Sequence, residues 1–357
     1  MKKINFITVT LTAICFFGMT LWIWFGNKAE YSESERRMLA KKPELTAENI
    51  ISGEYAKKFE EYAVDAFPMR DMWRTIKVYT RTSLLAQKDN HGIYTVENHI
   101  AKFEYPMNIH MLDHAIEVFG QVNENYLKDN RVYFSVIPDK NHYLAKDNGY
   151  LSVDYGAFAE YMRVGMDFAE YIEISDLLDD EDYYYTDTHW RQEAIVDVAE
   201  RIGSAMGVDV SQEYKENNTD IPFYGVYMGQ SALVHEPDEL KYLTSDIIDR
   251  VVVDGATQVY DMKKAKGRDP YEMFLSGNQS VVTIRDEENQ SGRRLIIFRD
   301  SFGSSIAPLL TKGYSEIVLV DLRYVSSAFL GEFVDFEGAD VLFLYSTLLL
   351  NNSLSLR

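Results

Sequence analysis

The hydrophobic pattern separates the start of the chain from the rest. Lys2 and Lys3 precede an uncharged run from Ile4 to Phe25, about the ~20 apolar residues that carry a helix across a bilayer core. By the positive-inside tendency the two lysines stay cytoplasmic and everything after Asn27 lies outside. A cleaved signal peptide is the competing reading. It would show a shorter apolar run and a small-x-small site, a pattern that GNKAEYS after Phe25 fits poorly. Trp22 and Trp24 sit at one end of the run like interfacial anchors, which argues against a buried core helix. Residues 1–26 are therefore expected to form an uncleaved membrane anchor, with a polar juxtamembrane segment over 27–50. Cys15 lies inside the run without a lipobox-like context, so lipidation is not expected there.

Beyond residue 50 the period changes repeatedly. Tyr55, Phe59, Tyr62 and Ala63 recur at helical spacing between Gly53 and Arg81, interrupted at Pro68. Further helices are expected over about His110–Leu127, Tyr155–Phe168 and Arg191–Met206, and a helix start over Ser301–Leu310. Apolar runs at Val132–Pro138, Tyr171–Ile174, Arg293–Phe298, Glu316–Leu322 and Ala339–Tyr345 read as strands. Strands alternating with helices predict an α/β domain with a parallel sheet covered on both faces. Residues 207–290 alternate weakly and are rich in Tyr, Asn and Asp. They are expected as an irregular insertion against the sheet, within a single domain over 51–357.

Composition narrows the function. With 56 acidic against 36 basic residues the net charge is −20, and no basic stripe suits nucleic acid. A single Cys excludes an intramolecular disulfide framework and a Cys-based zinc site. His91, His99, His110, His114 and His235 are scattered. The i, i+4 pair His110 and His114 lacks the HExxH glutamate, so it reads as helix surface rather than a metal site. No Walker or GxGxxG pattern follows a strand, so neither a cofactor nor nucleotide chemistry is expected.

Ligands of open parallel sheets bind at the carboxyl ends of strands, and three segments offer chemistry there. In FRDSFGSS, Ser301 follows a strand and precedes a helix, a place where its hydroxyl can stand at the sheet edge. Its N–H and the helix dipole can then face a developing oxyanion. The bland alternative is that Asp300 or Ser301 merely caps the helix, and Ser304 and Ser305 are expected to be bystanders. In YYYTDTHW, Asp187 and His189 stand two apart in what should be an extended loop, which projects both to one side. That suits a carboxylate orienting an imidazole that takes a proton from a nucleophile, although Asp187 could equally be a helix N-cap. In VIPDKNH, Asp139, Lys140 and His142 follow a strand. Lys140 could meet a substrate or a carboxylate, but a solvated loop is the expected account.

These segments together resemble the DHHW-type proteins, grouped with the alginate O-acetyltransferases of the AlgJ and AlgX kind and related to the SGNH hydrolases. TDTHW at 186–190 and RDSFG at 299–303 carry the resemblance. YSESERRMLAKKPELT, FEEYAVDAFPMRD and VIPDK add landmarks in the same order along most of the exported chain. The resemblance implies an SGNH-hydrolase-like (flavodoxin-like) fold. It also implies a triad of Ser301 as nucleophile, His189 as general base and Asp187 as its carboxylate partner, in permuted motif order. Two positions depart from the pattern. Thr188 replaces the second His, and Arg299 replaces the Gly of a GDS block, so Ser301 N–H needs another oxyanion donor.

The implied activity is extracytoplasmic O-acetylation of a cell-surface or secreted polysaccharide through an acyl-serine intermediate. Acetyl-CoA is cytoplasmic and one helix cannot carry an acetyl group across, so a multipass membrane-bound O-acyltransferase is the expected partner. A carbohydrate esterase with the same triad is the alternative, since water exclusion rather than residue identity separates the two. A non-catalytic glycan-binding scaffold is the third reading, with the tyrosines at 183–185 lining a groove.

Overall fold

A computed structural model describes residues 2–26, 28–32 and 34–357. Asn27, where the juxtamembrane segment is expected to begin, and Glu33 lie outside the described residues. The chain separates into two compact units, one of residues 1–91 with 228–235 and one of residues 92–227 with 236–357.

In the first unit the apolar run forms the helix Lys2–Phe25. Its segment Lys3–Phe25 has a mean hydropathy of 2.0 and no buried share, long and apolar enough to cross a membrane. The amphipathic stretch after Gly53 forms two helices, Glu54–Asp65 and Arg70–Tyr79. The break falls at Pro68, whose ring and missing N–H end a helix, and Met69 takes up the left-handed turn with φ 54°. Asp65 receives a bidentate pair from Arg37 at 2.9 and 2.7 Å, while Arg70 reaches both Asp65, at 3.2 Å, and Glu35. Glu35 and Arg37 of the YSESERRM segment thus pair with Arg70 and Asp65 of the FEEYAVDAFPMRD segment.

The second unit is built on a seven-stranded sheet, whose strands we number β1 to β7 in chain order. They are Arg131–Ile137 (β1), Glu170–Tyr171 (β2), Val252–Asp254 (β3), Val281–Arg285 (β4), Arg294–Arg299 (β5), Glu316–Val320 (β6) and Asp340–Ser346 (β7). Across the sheet the order is β2-β1-β7-β5-β6-β4-β3. The pairs β2–β1, β1–β7, β7–β5 and β5–β6 are parallel. β4 pairs antiparallel with both β6 and β3, so the sheet is mixed rather than purely parallel. The edge strand β3 and its neighbour β4 both come from residues 207–290. The remainder of that segment includes an antiparallel hairpin, Lys215–Phe223 with Asp238–Thr244.

Side chains alternate faces along each central strand, and two cores result. Leu295, Ile297, Leu342 and Leu344 pack with Val198, Ala199 and Ile202 of the helix Val196–Ala205 on one face. Ile296, Phe298, Val341 and Phe343 pack on the other with Leu112 and Phe119 of Ile109–Tyr126 and with Phe158 of Tyr155–Gly165. Burial on both faces explains why these strands read as continuous apolar runs. Smaller differences from the sequence expectation are local. The strand near 171–174 is two residues long, and the helix at 191–206 starts as a 3-10 turn, Gln192–Ala194.

Leu342 is fully buried near the middle of β7. Leu342→Ala leaves a cavity that close-packed neighbours fill only in part, so unfolding by denaturant should show a loss of about 2–5 kcal/mol.

Candidate active site

β5 ends in a tight turn that carries Ser301. The Asp300 carboxylate accepts Phe302 N–H at 3.0 Å with one oxygen and Ser346 N–H and hydroxyl at 2.9 and 2.6 Å with the other. It therefore ties the turn to the end of the adjacent strand β7. Neither Asp300 nor Ser301 is the helix N-cap, which is Phe302 without a side-chain bond. The turn packs closely over the strand, for a Cβ on Gly303 would stand 2.6 Å from the Cβ of Arg299. The helix that follows is short, Gly303–Ile306, and continues as the 3-10 run Ala307–Gly313 around Pro308. Any dipole contribution at Ser301 thus comes from one turn, less than a full helix would give.

The loop bearing Asp187 and His189 is not extended. Tyr183 and Trp190 form an antiparallel bridge, and Tyr184 N–H donates to His189 O at 3.1 Å, so residues 185–189 bend back on themselves. Within the bend Asp187 is fully buried. One oxygen accepts His189 N–H at 3.1 Å and lies 2.6 Å from His189 Nδ1, and the other accepts Val226 N–H at 2.8 Å. A carboxylate with these donors accepts from Nδ1, which fixes the proton there and leaves Nε2 as an acceptor. Nε2 lies 2.8 Å from Ser301 Oγ, across 112 residues of sequence, so the serine hydroxyl donates to it. The three residues singled out by sequence thus form one line of hydrogen bonds. Asp187 accepts from His189 and Val226 and is not the N-cap of the helical turn that follows His189, which is Arg191.

Other residues hold the imidazole in place. Tyr271 stacks on the His189 ring with centroids 3.8 Å apart and planes within 11°, and Phe302 tilts against it at 4.8 Å. Tyr271 OH and Trp190 Nε1 both donate to Ser305 Oγ at 2.9 Å. The Ser305 hydroxyl thus joins the residue stacked on His189 to the residue after it. Thr188 accepts from Tyr227 OH at 3.1 Å. Tyr183 and Tyr184 are fully buried, with Tyr183 OH donating to Pro138 O at 2.6 Å. They belong to the core, not to a groove, because the bridge at 183–190 turns them inward.

The VIPDKNH segment is also internal. Lys140 is buried, not solvated, and its Nζ donates to Tyr184 O and Tyr185 O at 2.8 and 3.0 Å. Burial pushes its pKa down to about 7 against the pull of Asp238, Asp187 and Asp139. Asp238 accepts Tyr185 N–H at 2.6 Å and Thr186 N–H at 2.8 Å. Asp139 accepts from Tyr155 OH at 2.7 Å and Thr347 Oγ1 at 3.0 Å, and burial raises its pKa to about 6. Arg299 is fully buried, with its guanidinium 3.5 Å from Asp321 beyond β6.

His99, Asp180 and Glu181 bring possible metal-ligand atoms within 4.8 Å of one another. The sequence spacing gave no sign of this group, because the chain fold alone brings His99 to the acidic turn. His110 and His114 lie on the helix Ile109–Tyr126, the first exposed and the second half-buried beside Ser353, 3.1 Å away.

Two tests follow from these supports. A Cβ on Gly225 would stand 2.2 Å from the Thr186 carbonyl. Gly225→Ala should therefore push Val226 N–H off Asp187 and lower turnover of an ester substrate by at least 10-fold, the order of one lost hydrogen bond to a charged group. The second test concerns Lys140. Its folded pKa of about 7 lies below the ordinary 10.5, so the unfolded chain binds more protons between those values and stability rises with pH there. Lys140→Met should flatten that rise in denaturation midpoints measured across this window. Asp139, raised from 3.8 to about 6, acts in the opposite sense and at lower pH, where its contribution is lost as pH rises through about 6.

No protein-family model matches the chain, and no curated protein matches it in sequence. Solved structures do match in fold. A DHHW family protein from Eubacterium siraeum aligns with TM-score 0.59 and 19% identity, over 73% of this chain and 93% of that one. Bacillus cereus PatB1 with a sulfonyl adduct aligns with TM-score 0.53 and 17% identity, over 72% and 95%. The O-acetyltransferase domain of Pseudomonas putida AlgJ aligns with TM-score 0.46 and 10% identity, over 73% and 92%. At these identities the likeness is one of fold: the mixed α/β sheet of this chain is that of the DHHW-type structure.

Proposed function

We propose that the chain is a serine-dependent O-acyltransferase that works outside the cytoplasmic membrane and acetylates hydroxyls of a cell-surface or secreted polysaccharide. The observation that carries this reading is the line of hydrogen bonds from Val226 N–H through Asp187 and His189 to the Ser301 hydroxyl. In the first half-reaction Ser301 Oγ attacks the acyl carbonyl as His189 Nε2 takes its proton. The tetrahedral intermediate collapses, and the imidazolium returns the proton to the leaving oxygen of the donor. In the second, a sugar hydroxyl gives its proton to Nε2 and attacks acyl-Ser301; the tetrahedral intermediate collapses as the imidazolium returns the proton to Ser301 Oγ, releasing the sugar ester and the free serine. Asp187 stabilises the imidazolium in both halves and holds its tautomer.

The length and apolarity of the helix Lys2–Phe25, with Lys2 and Lys3 before it, support a site outside the cytoplasmic membrane by the positive-inside tendency. The acyl donor is then supplied by a multipass membrane-bound O-acyltransferase, since a single helix has no path for an acetyl group.

Ser301→Ala and His189→Ala should each lower hydrolysis of a nitrophenyl acetate by roughly 10³-fold or more, and the double variant should be little worse, because members of such a unit do not contribute additively. Asp187→Ala should cost less than either. A sulfonyl fluoride, which loses fluoride as the nucleophile bonds to sulfur, should add one sulfonyl group to the peptide holding Ser301, and His189→Ala should slow this. Label on another residue, or normal turnover by Ser301→Ala, overturns the reading. Ester formed on an added oligosaccharide at the expense of free acetate marks a transferase, and free acetate alone an esterase.

A further inference from the structure

We infer that the outward face of the helix Arg70–Tyr79 lies in the outer leaflet of the bilayer, as a second membrane contact beside the N-terminal helix. This rests on reading Lys2–Phe25 as a membrane span. The helix is amphipathic in the wrong sense for water. Met69, Met72, Trp73, Ile76 and Tyr79 follow i, i+3, i+4, i+7 and i+10 spacing, which places them on one face. They are 62%, 43%, 41%, 47% and 42% exposed. The two arginines turn inward instead, while Asp71 and Lys77 are exposed outside that face. Arg70 meets Asp65 and Glu35, and Arg74 donates to the carbonyls of Gly229 and Gln230 at 2.8 and 2.9 Å and lies 3.3 Å from Glu35. The ion network therefore fixes which side faces out, and that side is apolar.

Its position in this unit names the occupant. Tyr62 OH donates to Ile23 O at 2.9 Å, Phe59 packs on Trp24 at 5.3 Å, and Lys28 Nζ donates to Ala66 O at 3.2 Å. The helix Glu54–Asp65 is thus seated on the outer end of the span, and Arg70–Tyr79 begins four residues after Ala66. At 1.5 Å per residue the second helix extends only ~15 Å. It starts where the headgroups are, and an interfacial helix sinks its apolar face ~5–10 Å into the headgroup and acyl boundary. Trp73 and Tyr79 with the exposed Lys77 at the flank have the chemistry of that boundary.

The test uses the full chain in lipid nanodiscs, with Cys15→Ser and a single new cysteine carrying a polarity-sensitive fluorophore. Ile76→Cys and, as a second site, Met72→Cys should give blue-shifted emission that is lost to nitroxide-bearing lipid and kept against aqueous iodide. Glu332→Cys, an exposed control, should lose emission to iodide and not to the lipid. Iodide quenching at Ile76 and Met72 overturns the inference. So does protection from both quenchers, which would mean that protein and not lipid covers the face. Co-elution of the chain with the discs reports the span separately. A chain that stays in the discs with Ile76 in water loses this inference alone, and a chain that leaves them loses the span reading too.

Discussion

A single carboxylate buried away from water sets the terms for everything around Ser301. Asp187 has no exposed surface, and a buried charge is tolerable only when donors replace its hydration. The His189 amide, the His189 ring and the Val226 amide supply them. The path of the loop, the tautomer of the imidazole and the approach of residues 225–226 are therefore not three independent features. Shifting any one takes away a donor that the buried carboxylate relies on.

The loop also needs support of its own, because a bend cannot pair its amides and carbonyls as a strand does. Side chains from distant segments take that role. Lys140, just past β1, serves the carbonyls of Tyr184 and Tyr185, and Asp238, from the hairpin, serves the amides of Tyr185 and Thr186. Ile100 N–H adds a further bond to Tyr185 O. Such a polar layer holds a reactive constellation in place before any substrate arrives.

Periodicity made the central strands and most of the helices legible, because burial on one or two faces imposes it directly. The linear order of Asp187, His189 and Ser301 was equally readable, since each sits in a short and distinctive string. Lys140 was misread because a lysine after a strand is usually solvated, and nothing in its neighbours announces two waiting carbonyls. Tyr271 and Ser305 were missed for a different reason: one acts through a ring face and the other through a hydroxyl shared by two donors. Neither role has a spacing signature. The antiparallel strands β3 and β4 hid in a polar segment, where short half-buried pieces give weak alternation.

The bond from Val226 to Asp187 is made by the main chain. Any residue except proline brings the same N–H to that point, so the identity of position 226 is free to drift while the geometry stays fixed. Comparison of sequences would then record a variable site where the molecule has a fixed one. Among distant relatives, the trace of this contact should instead be found one position earlier, in a glycine retained because no side chain fits there.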